Sequence, residues 1–305
     1  MKNHYKTTVW LRLIKINNFI LFKLKNKNII GGNILIELNN FYISESVSFM
    51  RKNIPDNFID LTITSPPYDD LRKYKGFIFD YQNMLKELYR ITKNGGVVVW
   101  VVGDKTQNGS ETLTSFKHAL HAKEIGFNIH DTMIYAKENP VPQVDKTRYT
   151  QQFEYMFICV KGKISTINRL TEECKNAGKT IKRTNNNTES CDRNRINKTN
   201  NTKPKNNIWF YKIGTNCTTK DSIANKHPAQ FPERLALDHI KTWSNEGDII
   251  LDPMCGSGTT CKMAYLNKRN FIGIDMSEEY INNICIPRLN AYGWKNEIMP
   301  ISQSQ

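Results

Sequence analysis

The chain has 305 residues, with 43 Lys or Arg against 29 Asp or Glu, and therefore a net charge of +14 and a pI near 9.4. This length can hold one large α/β domain with an insertion, and the positive charge suits a polyanionic partner. The seven cysteines are odd in number and form no CxxC pair, which favours a reduced cytoplasmic protein without a structural zinc.

Residues 1–33 are apolar in places, but Lys, Arg and Asn interrupt them, so no run of ~20 apolar residues is present. This composition predicts a basic N-terminal arm and argues against a membrane anchor. Ile29–Asn33 is typical of a turn that leads into the main domain, which we expect to begin at residue 34.

The first chemical signal follows an apolar strand predicted over Phe58–Thr64, which ends at two consecutive prolines, Pro66 and Pro67. Proline fixes φ and removes a backbone donor, so the Ser65 hydroxyl and the Pro66 carbonyl form a rigid row of acceptors. Such acceptors can bind the two protons of a nucleobase amine and localise its lone pair, while Tyr68 can stack on an extruded base. A surface turn or a proline-rich peptide ligand is the alternative for this string.

The sequence patterns in the rest of residues 34–161 predict helices and strands that support the fold and carry no catalytic residues. The predicted elements are a helix over Asp80–Lys93 ended by Asn94–Gly96, a strand over Val97–Val102, a helix around Leu113–Leu120, and a hairpin of Phe127–Lys137 with Phe153–Lys161. We expect the aromatic residues of these elements to lie in the core.

Residues 162–207 differ in composition from their surroundings. From position 161 to 207 the chain has twelve Lys or Arg and four acids, a net charge of +8, with few apolar residues. We expect a mobile insertion, whose basic residues suit a polyanionic partner. A solvated low-complexity loop is the alternative. Trp209–Tyr211 marks the point where ordered structure is expected to resume.

Residues 208–290 contain a second signal, in which Gly256-Ser257-Gly258 stands between a strand predicted over Asp248–Leu251 and a helix that begins at Thr259. Glycines there allow a ligand to approach the main chain at the carboxyl edge of a parallel sheet. The next strand, Asn270–Asp275, ends in an acid that can accept both hydroxyls of a ribose. A third glycine and a Walker lysine are both missing, which favours S-adenosylmethionine over a dinucleotide or a nucleoside triphosphate.

Together these strings resemble the beta group of DNA amino-methyltransferases of restriction-modification systems, in the branch specific for cytosine N4. Thr64–Tyr68 is similar to the catalytic motif and Asp252–Thr260 to the cofactor loop, in the beta-group order. His227–Glu233 and Ile272–Ser277 extend the likeness. The Asn/Lys-rich insertion 162–207 stands where the family keeps its target-recognition region, which implies contacts with DNA phosphates and base edges. The resemblance implies an α/β fold of class I, the Rossmann-like S-adenosylmethionine-dependent methyltransferases, with an antiparallel hairpin and a permuted motif order.

The resemblance also implies site residues. Ser65, Pro66, Pro67 and Tyr68 would be catalytic, and no metal is implied. The cofactor residues would be Glu45, Phe231, Pro232, Asp252, Pro253, Cys255, Gly256, Ser257, Gly258, Thr259, Asp275 and Met276. Relatives usually carry a Gly-Asp pair where this chain has Ser44-Glu45, so Glu45 would contact the cofactor adenine with one more methylene.

We therefore expect a methyltransferase acting on cytosine N4 in double-stranded DNA, which works as a monomer or weak dimer, with a possible cognate restriction endonuclease. Methylation of adenine N6 on the same fold is the nearest alternative. A non-catalytic DNA-binding prophage remnant is the second. Residues 291–305 would form a C-terminal tail.

Overall fold

The computed structural model describes residues 27–30, 33–67, 79–142, 147–183, 195–198 and 200–295. An eight-stranded sheet forms its centre. The strands are β1 (Asn40–Ile43), β2 (Ile59–Thr64), β3 (Thr92–Val102), β4 (Phe127–Lys137), β5 (Phe153–Lys161), β6 (Ile208–Tyr211), β7 (Ile249–Asp252) and β8 (Asn270–Asp275). The longer helices are α1 (Ser46–Asn53), α2 (Tyr81–Ile91), α3 (Thr114–Glu124), α4 (Glu233–Trp243) and α5 (Thr259–Leu266).

The strand order is β6-β4-β5-β3-β2-β7-β8-β1. All neighbours are parallel except β5, which runs antiparallel to both β3 and β4. The predicted antiparallel hairpin is thus confirmed as β4 and β5. Strand β1, the first of the sheet in the chain, pairs with β8, the last, and the strand with the proline motif precedes the strand with the glycine loop.

Two hydrophobic cores lie on opposite faces of the sheet, which is why the central strands are apolar on both sides. One face packs against α4 and α5 and the other against α1, α2 and α3. Strand β3 supplies alternate side chains to each, with Val97, Val99 and Val101 in the first core and Val98, Trp100 and Val102 in the second.

The C-terminal end predicted for the helix over Asp80–Lys93, which is α2, is wrong. Helix α2 ends at Ile91 and strand β3 begins directly at Thr92, whose hydroxyl donates to the Leu88 carbonyl. Asn94–Gly96 instead lies where the pairing of β2 with β3 changes register, and Gly95 has a φ of +83°. The two glycines therefore form a bulge within the strand and do not cap the helix.

The expectation that the aromatic residues pack in the core is wrong for Phe116. Phe116 and Leu120 lie on the outer face of α3, with exposed fractions of 45% and 63%. The helix buries Ser115, His118 and Ala122 instead. His118 accepts a hydrogen bond from the Trp100 indole at 3.2 Å, so the inward face of this helix makes a polar contact with the sheet.

The described part of the basic insertion contains two short antiparallel strand pairs, Thr171–Glu173 with Thr202–Pro204 and Thr180–Arg183 with Arg195–Lys198. Its first residues also pack on the main domain, where Ser165 donates its backbone N–H to the Gly95 carbonyl. Near residue 34, where the main domain was predicted to begin, Lys27–Ile30 pairs antiparallel with Asn33–Glu37. Most of the N-terminal arm and of the C-terminal tail lies outside the described residues.

Candidate active site

The two motifs meet at one edge of the sheet. Strands β2 and β7 are parallel neighbours, with Ile250 opposite Leu61 and Leu251 opposite Thr62, so their carboxyl ends lie side by side. From this pair the chain connections run in opposite directions across the sheet, because β2 is followed by β3 on one side and β7 by β8 on the other. This is the topological switch point at which open α/β sheets bind ligands.

Two side-chain hydrogen bonds tie the motifs together. The Thr64 hydroxyl donates to Asp252 Oδ1 at 3.1 Å, and the Thr260 hydroxyl donates to the Ile63 carbonyl at 3.3 Å. Thr64, Asp252 and Thr260 are all buried. The Ser65 and Pro66 acceptors after β2 are therefore fixed in position relative to the glycine loop after β7.

The proline motif leaves the sheet at once, as expected from its two prolines. Pro66 is buried, and Ser65 and Pro67 are half-buried at the strand end. Tyr68 lies outside the described residues, so its predicted stacking role stays a prediction.

The glycine loop is a tight turn. Gly256 and Gly258 have φ values of +50° and +74°, a region that side chains other than glycine rarely occupy. A Cβ on Gly256 would lie 2.7 Å from His227 Nε2, so that position cannot take a larger residue without displacing the imidazole. The Cys255 N–H donates to the Ile274 carbonyl at 2.9 Å, which joins the turn to β8. The predicted turn geometry is confirmed.

Asp275 ends β8 and closes the loop from the other side. Its Oδ2 accepts from the Gly256 N–H and its Oδ1 from the Ser277 N–H, both at 2.8 Å. Burial raises the pKa of this carboxyl, although the backbone donors lower it in part. Each oxygen keeps a second lone pair, so the carboxylate can still accept from a ribose hydroxyl. The following Met276 is 54% exposed beside it.

Asp252 is a buried carboxyl at the junction of the two motifs. Burial raises the pKa of Asp252 to about 7, and hydrogen bonds from the Met254 N–H and the Thr64 hydroxyl partly oppose this shift. Two carboxyls, Asp252 and Asp275, therefore end neighbouring strands on either side of the glycine turn.

Glu45 has a structural role that the sequence did not predict. It is the N-cap of α1, with Oε1 accepting from the Val47 N–H at 2.9 Å and Oε2 from the Ser48 N–H at 2.7 Å. Because β1 pairs with β8, Glu45 still lies at the same sheet edge as Asp275. Its contact with a cofactor adenine stays a prediction. The neighbouring Ser46 hydroxyl donates to the Pro253 carbonyl, a contact with the loop that has no motif signature.

His227–Glu233 reaches the loop from the end that precedes α4. Pro232 is the N-cap residue of α4 and is buried, while Phe231 is half-buried against the core beneath α4. His227 lies under Gly256 and packs edge-on against Tyr280, with ring centroids 4.5 Å apart.

Ser257 and Thr259 point inward. They are 3% and 4% exposed, and their hydroxyls lie 3.2 Å apart. Arg288 donates from Nη1 to the Ser257 carbonyl at 2.8 Å and to the Thr259 hydroxyl at 3.0 Å. Sequence reasoning missed Arg288, because a single arginine in a C-terminal helix has no spacing that marks it.

The residues present fit a nucleotide-type cofactor. The turn carries no side chain at Gly256 or Gly258, and a carboxyl group stands at the end of each of the two neighbouring strands. Among the described residues no group of three or more His, Cys, Asp or Glu side chains could hold a metal ion. No helix in the described ranges is both long and apolar enough to cross a membrane.

Comparison with known proteins agrees with this geometry. Residues 59–285 match the N6/N4 methylase family model, described as DNA methylase. The orphan methyltransferase M.BamHII of Bacillus amyloliquefaciens is 53% identical over 249 residues, which cover 80% of this chain and 93% of that protein. The type II methyltransferase M.HinfI of Haemophilus influenzae is 29% identical over 260 residues, 76% of this chain and 63% of that protein.

Solved structures share the fold. The PvuII DNA methyltransferase, described as cytosine-N4-specific, aligns with a TM-score of 0.59 and 18% identity over 83% of this chain and 90% of that one. The complex of M1.HpyAVI with S-adenosylmethionine aligns with a TM-score of 0.55 and 23% identity over 82% and 99%. The predicted class I fold is confirmed, and so is the predicted cofactor, at the level of the family. The chain belongs to the N6/N4 family of S-adenosylmethionine-dependent DNA methyltransferases.

Proposed function

We propose that this DNA methyltransferase modifies the N4 amine of a cytosine flipped out of double-stranded DNA. The supporting observation is that Ser65-Pro66-Pro67 follows β2 directly beside the glycine loop after β7, with Thr64 hydrogen-bonded to Asp252. A row of acceptors thus stands next to a turn suited to the cofactor.

In this proposal the Ser65 hydroxyl and the Pro66 carbonyl accept the two amine protons of the base. These hydrogen bonds localise the nitrogen lone pair, which in free cytosine is delocalised into the ring. Pro67 keeps the row rigid, and the ring of Tyr68 stacks on the base. Bound S-adenosylmethionine supplies an electrophilic methyl group to that nitrogen.

The residues around the loop hold the cofactor. Asp275 accepts from the ribose hydroxyls, Glu45 approaches the adenine, and Phe231 with Pro232 packs on the methionine part. The remaining residues of the proposed site line the turn or its rim: Asp252, Pro253, Cys255, Gly256, Ser257, Gly258, Thr259 and Met276.

The serine of the proline motif favours cytosine, whereas relatives that act on adenine N6 more often carry aspartate there. Adenine N6 remains the second candidate, because the matched family includes methylases of both kinds. Methylation at cytosine carbon 5 would need a cysteine nucleophile after a proline, and the sequence contains no Pro-Cys pair. A prophage remnant is disfavoured by the intact contacts between the two motifs.

The proposed macromolecular partner is duplex DNA, contacted through the basic residues of 162–207. M.BamHII is described as an orphan methyltransferase. We propose by analogy that the enzyme acts without an obligatory restriction endonuclease, as a monomer or weak dimer in the cytoplasm.

Labelled S-adenosylmethionine and mixed-sequence duplex DNA would test the proposal, with digestion to nucleosides and identification of the methylated one. We expect N4-methylcytosine from the native enzyme, none from Ser65→Ala, and an unchanged yield from Ser110→Ala, a serine in an exposed hairpin. N6-methyladenine would reject the cytosine assignment. Full activity of Ser65→Ala would reject the catalytic role of the serine.

A further inference from the structure

The C-terminal helical segment, formed by Glu278–Tyr280, Ile281–Cys285 and Ile286–Asn290, holds the glycine loop from beneath. Cys285 Sγ donates to the Gly256 carbonyl at 3.1 Å, and Arg288 Nη1 donates to the Ser257 carbonyl at 2.8 Å. Two successive carbonyls of the turn are thus bound by one segment. Arg288 lies beyond residues 59–285, which the family model matches.

The turn needs such a restraint because of its composition. Gly256 and Gly258 both adopt positive φ, and glycine has more backbone conformations to lose than any other residue. Ser257 stands between them and is buried, so its carbonyl has little access to water and requires a protein donor. Arg288 supplies this donor and fixes the residue between the two flexible positions.

Arg288 is itself held on its other side. Its Nε binds Asp221 Oδ2 at 2.7 Å and its Nη2 binds Glu233 Oε1 at 2.5 Å. Lys262 binds the same two carboxylate oxygens, both at 2.7 Å, so two buried cations balance two half-buried carboxylates in this cluster. A planar guanidinium can bridge the carboxylates and the loop carbonyl together, which the single ammonium of lysine cannot do.

We propose that Arg288 is a positioning residue that holds the Gly256–Gly258 turn in the conformation that binds S-adenosylmethionine. The inference rests on the proposed role of this loop as the cofactor site. Removal of the Arg288 side chain weakens cofactor binding because the turn must then be ordered when the cofactor binds. DNA binding in the absence of cofactor does not depend on it.

Titration calorimetry with S-adenosylmethionine on the purified full chain would test this role. We expect Arg288→Met to raise the Kd about 10- to 100-fold, the effect of removing a charged donor from a buried acceptor. Arg288→Lys, which keeps the charge but not the planar fork of donors, should have a Kd between those of the native chain and Arg288→Met. Arg269→Met is the matched control, because Arg269 makes three hydrogen bonds to Ser244 and Asn267 at the opposite sheet edge.

An unchanged Kd in folded Arg288→Met would overturn the inference, as would an equal loss in Arg269→Met. If Arg288→Met does not fold, Arg288→Lys carries the test, because lysine keeps a positive charge beside Asp221 and Glu233 but cannot also reach the Ser257 carbonyl. A Kd of Arg288→Lys equal to that of the native chain would also reject the inference. If the native chain binds cofactor but Asp275→Asn and Gly256→Ala bind it equally well, the proposed cofactor site fails instead.

Discussion

Thr64 Oγ1 donates a 3.1 Å hydrogen bond to Asp252 Oδ1, and this contact joins two motifs that are 188 residues apart in the chain. Both side chains are buried, so neither group can exchange the bond for one with water. The bond sets the distance between the acceptor row after Thr64 and the glycine turn after Asp252. It also places an ionisable carboxyl in the centre of the site.

Asp252 should make stability depend on pH. Burial raises the pKa of Asp252 to about 7 from an ordinary value of 3.8, so the folded state retains a proton that the unfolded state releases. This contribution to stability is complete below about pH 4 and is lost as the pH rises through 7. Asp252→Asn should therefore gain stability relative to the native chain as the pH rises from 4 to 7, by at most about 1.4 kcal/mol for each pH unit.

Denaturant unfolding at pH 5 and pH 8 would measure this difference. Asp248→Asn is the control, because Asp248 makes the same charge change near the other end of β7 and is partly exposed. A stability gain for Asp252→Asn that is equal at both pH values would contradict the prediction.

Gly256→Ala should abolish cofactor binding. The new Cβ would lie 2.7 Å from His227 Nε2 and would occupy a φ of +50°, so the turn must shift. Gly247→Ala introduces comparable backbone strain, since Gly247 has a φ of +89°, but nothing lies within 4 Å of its Cβ. We expect Gly247→Ala to bind S-adenosylmethionine normally in calorimetry, whereas equal losses in both variants would show strain to be the whole effect.

Asp221→Asn should destabilise the fold at neutral pH by about 2 kcal/mol, between the costs of breaking an exposed and a buried pair, because Arg288 and Lys262 would then share one half-buried carboxylate. Burial alone would raise the pKa of Asp221, but hydrogen bonds from Arg288, Lys262 and Tyr292 lower this pKa to about 2. The stabilisation by Asp221 is therefore present above about pH 4 and is lost as the pH falls through 2.

Urea unfolding of Asp221→Asn at pH 7 and pH 3 would test this prediction, and the difference from the native chain should shrink at pH 3. Asp56→Asn removes a well-exposed partner of Arg90 and should cost less than about 1 kcal/mol. Equal costs for the two variants at pH 7 would show that burial of the cluster is unimportant.

The basic insertion should bind DNA phosphates. Replacing the exposed Arg169, Lys175 and Lys179 together by alanine should weaken DNA binding for all sequences alike. The slope of log affinity against log salt should fall by about 0.9 for each phosphate that is no longer neutralised. Fluorescence anisotropy at several salt concentrations would measure both quantities. Alanine at Lys52 and Lys123, on helices that pack against the other face of the sheet, should leave the slope unchanged.

The sequence alone determined the elements with strong local signals. Strands could be predicted over Phe58–Thr64 and Asn270–Asp275, because short apolar runs that end at prolines or at an acid are typical of buried strands. The turn at Gly256 could be predicted because glycines between a strand and a helix allow the positive φ values that a tight turn there requires. Resemblance to a family extended these signals to the cofactor and the class of reaction.

Tertiary structure decided what depends on partners distant in the chain. Thr92 begins a strand because it pairs beside Ile59, and Asn94–Gly96 forms a bulge there instead of ending a helix. Glu45 caps α1, a role set by the direction in which the chain leaves β1. Arg288 reaches the glycine turn because helix packing brings residues 31 positions apart together. Local patterns encode periodicity and turn chemistry, whereas burial, pKa and buried ion pairs arise when separate elements pack.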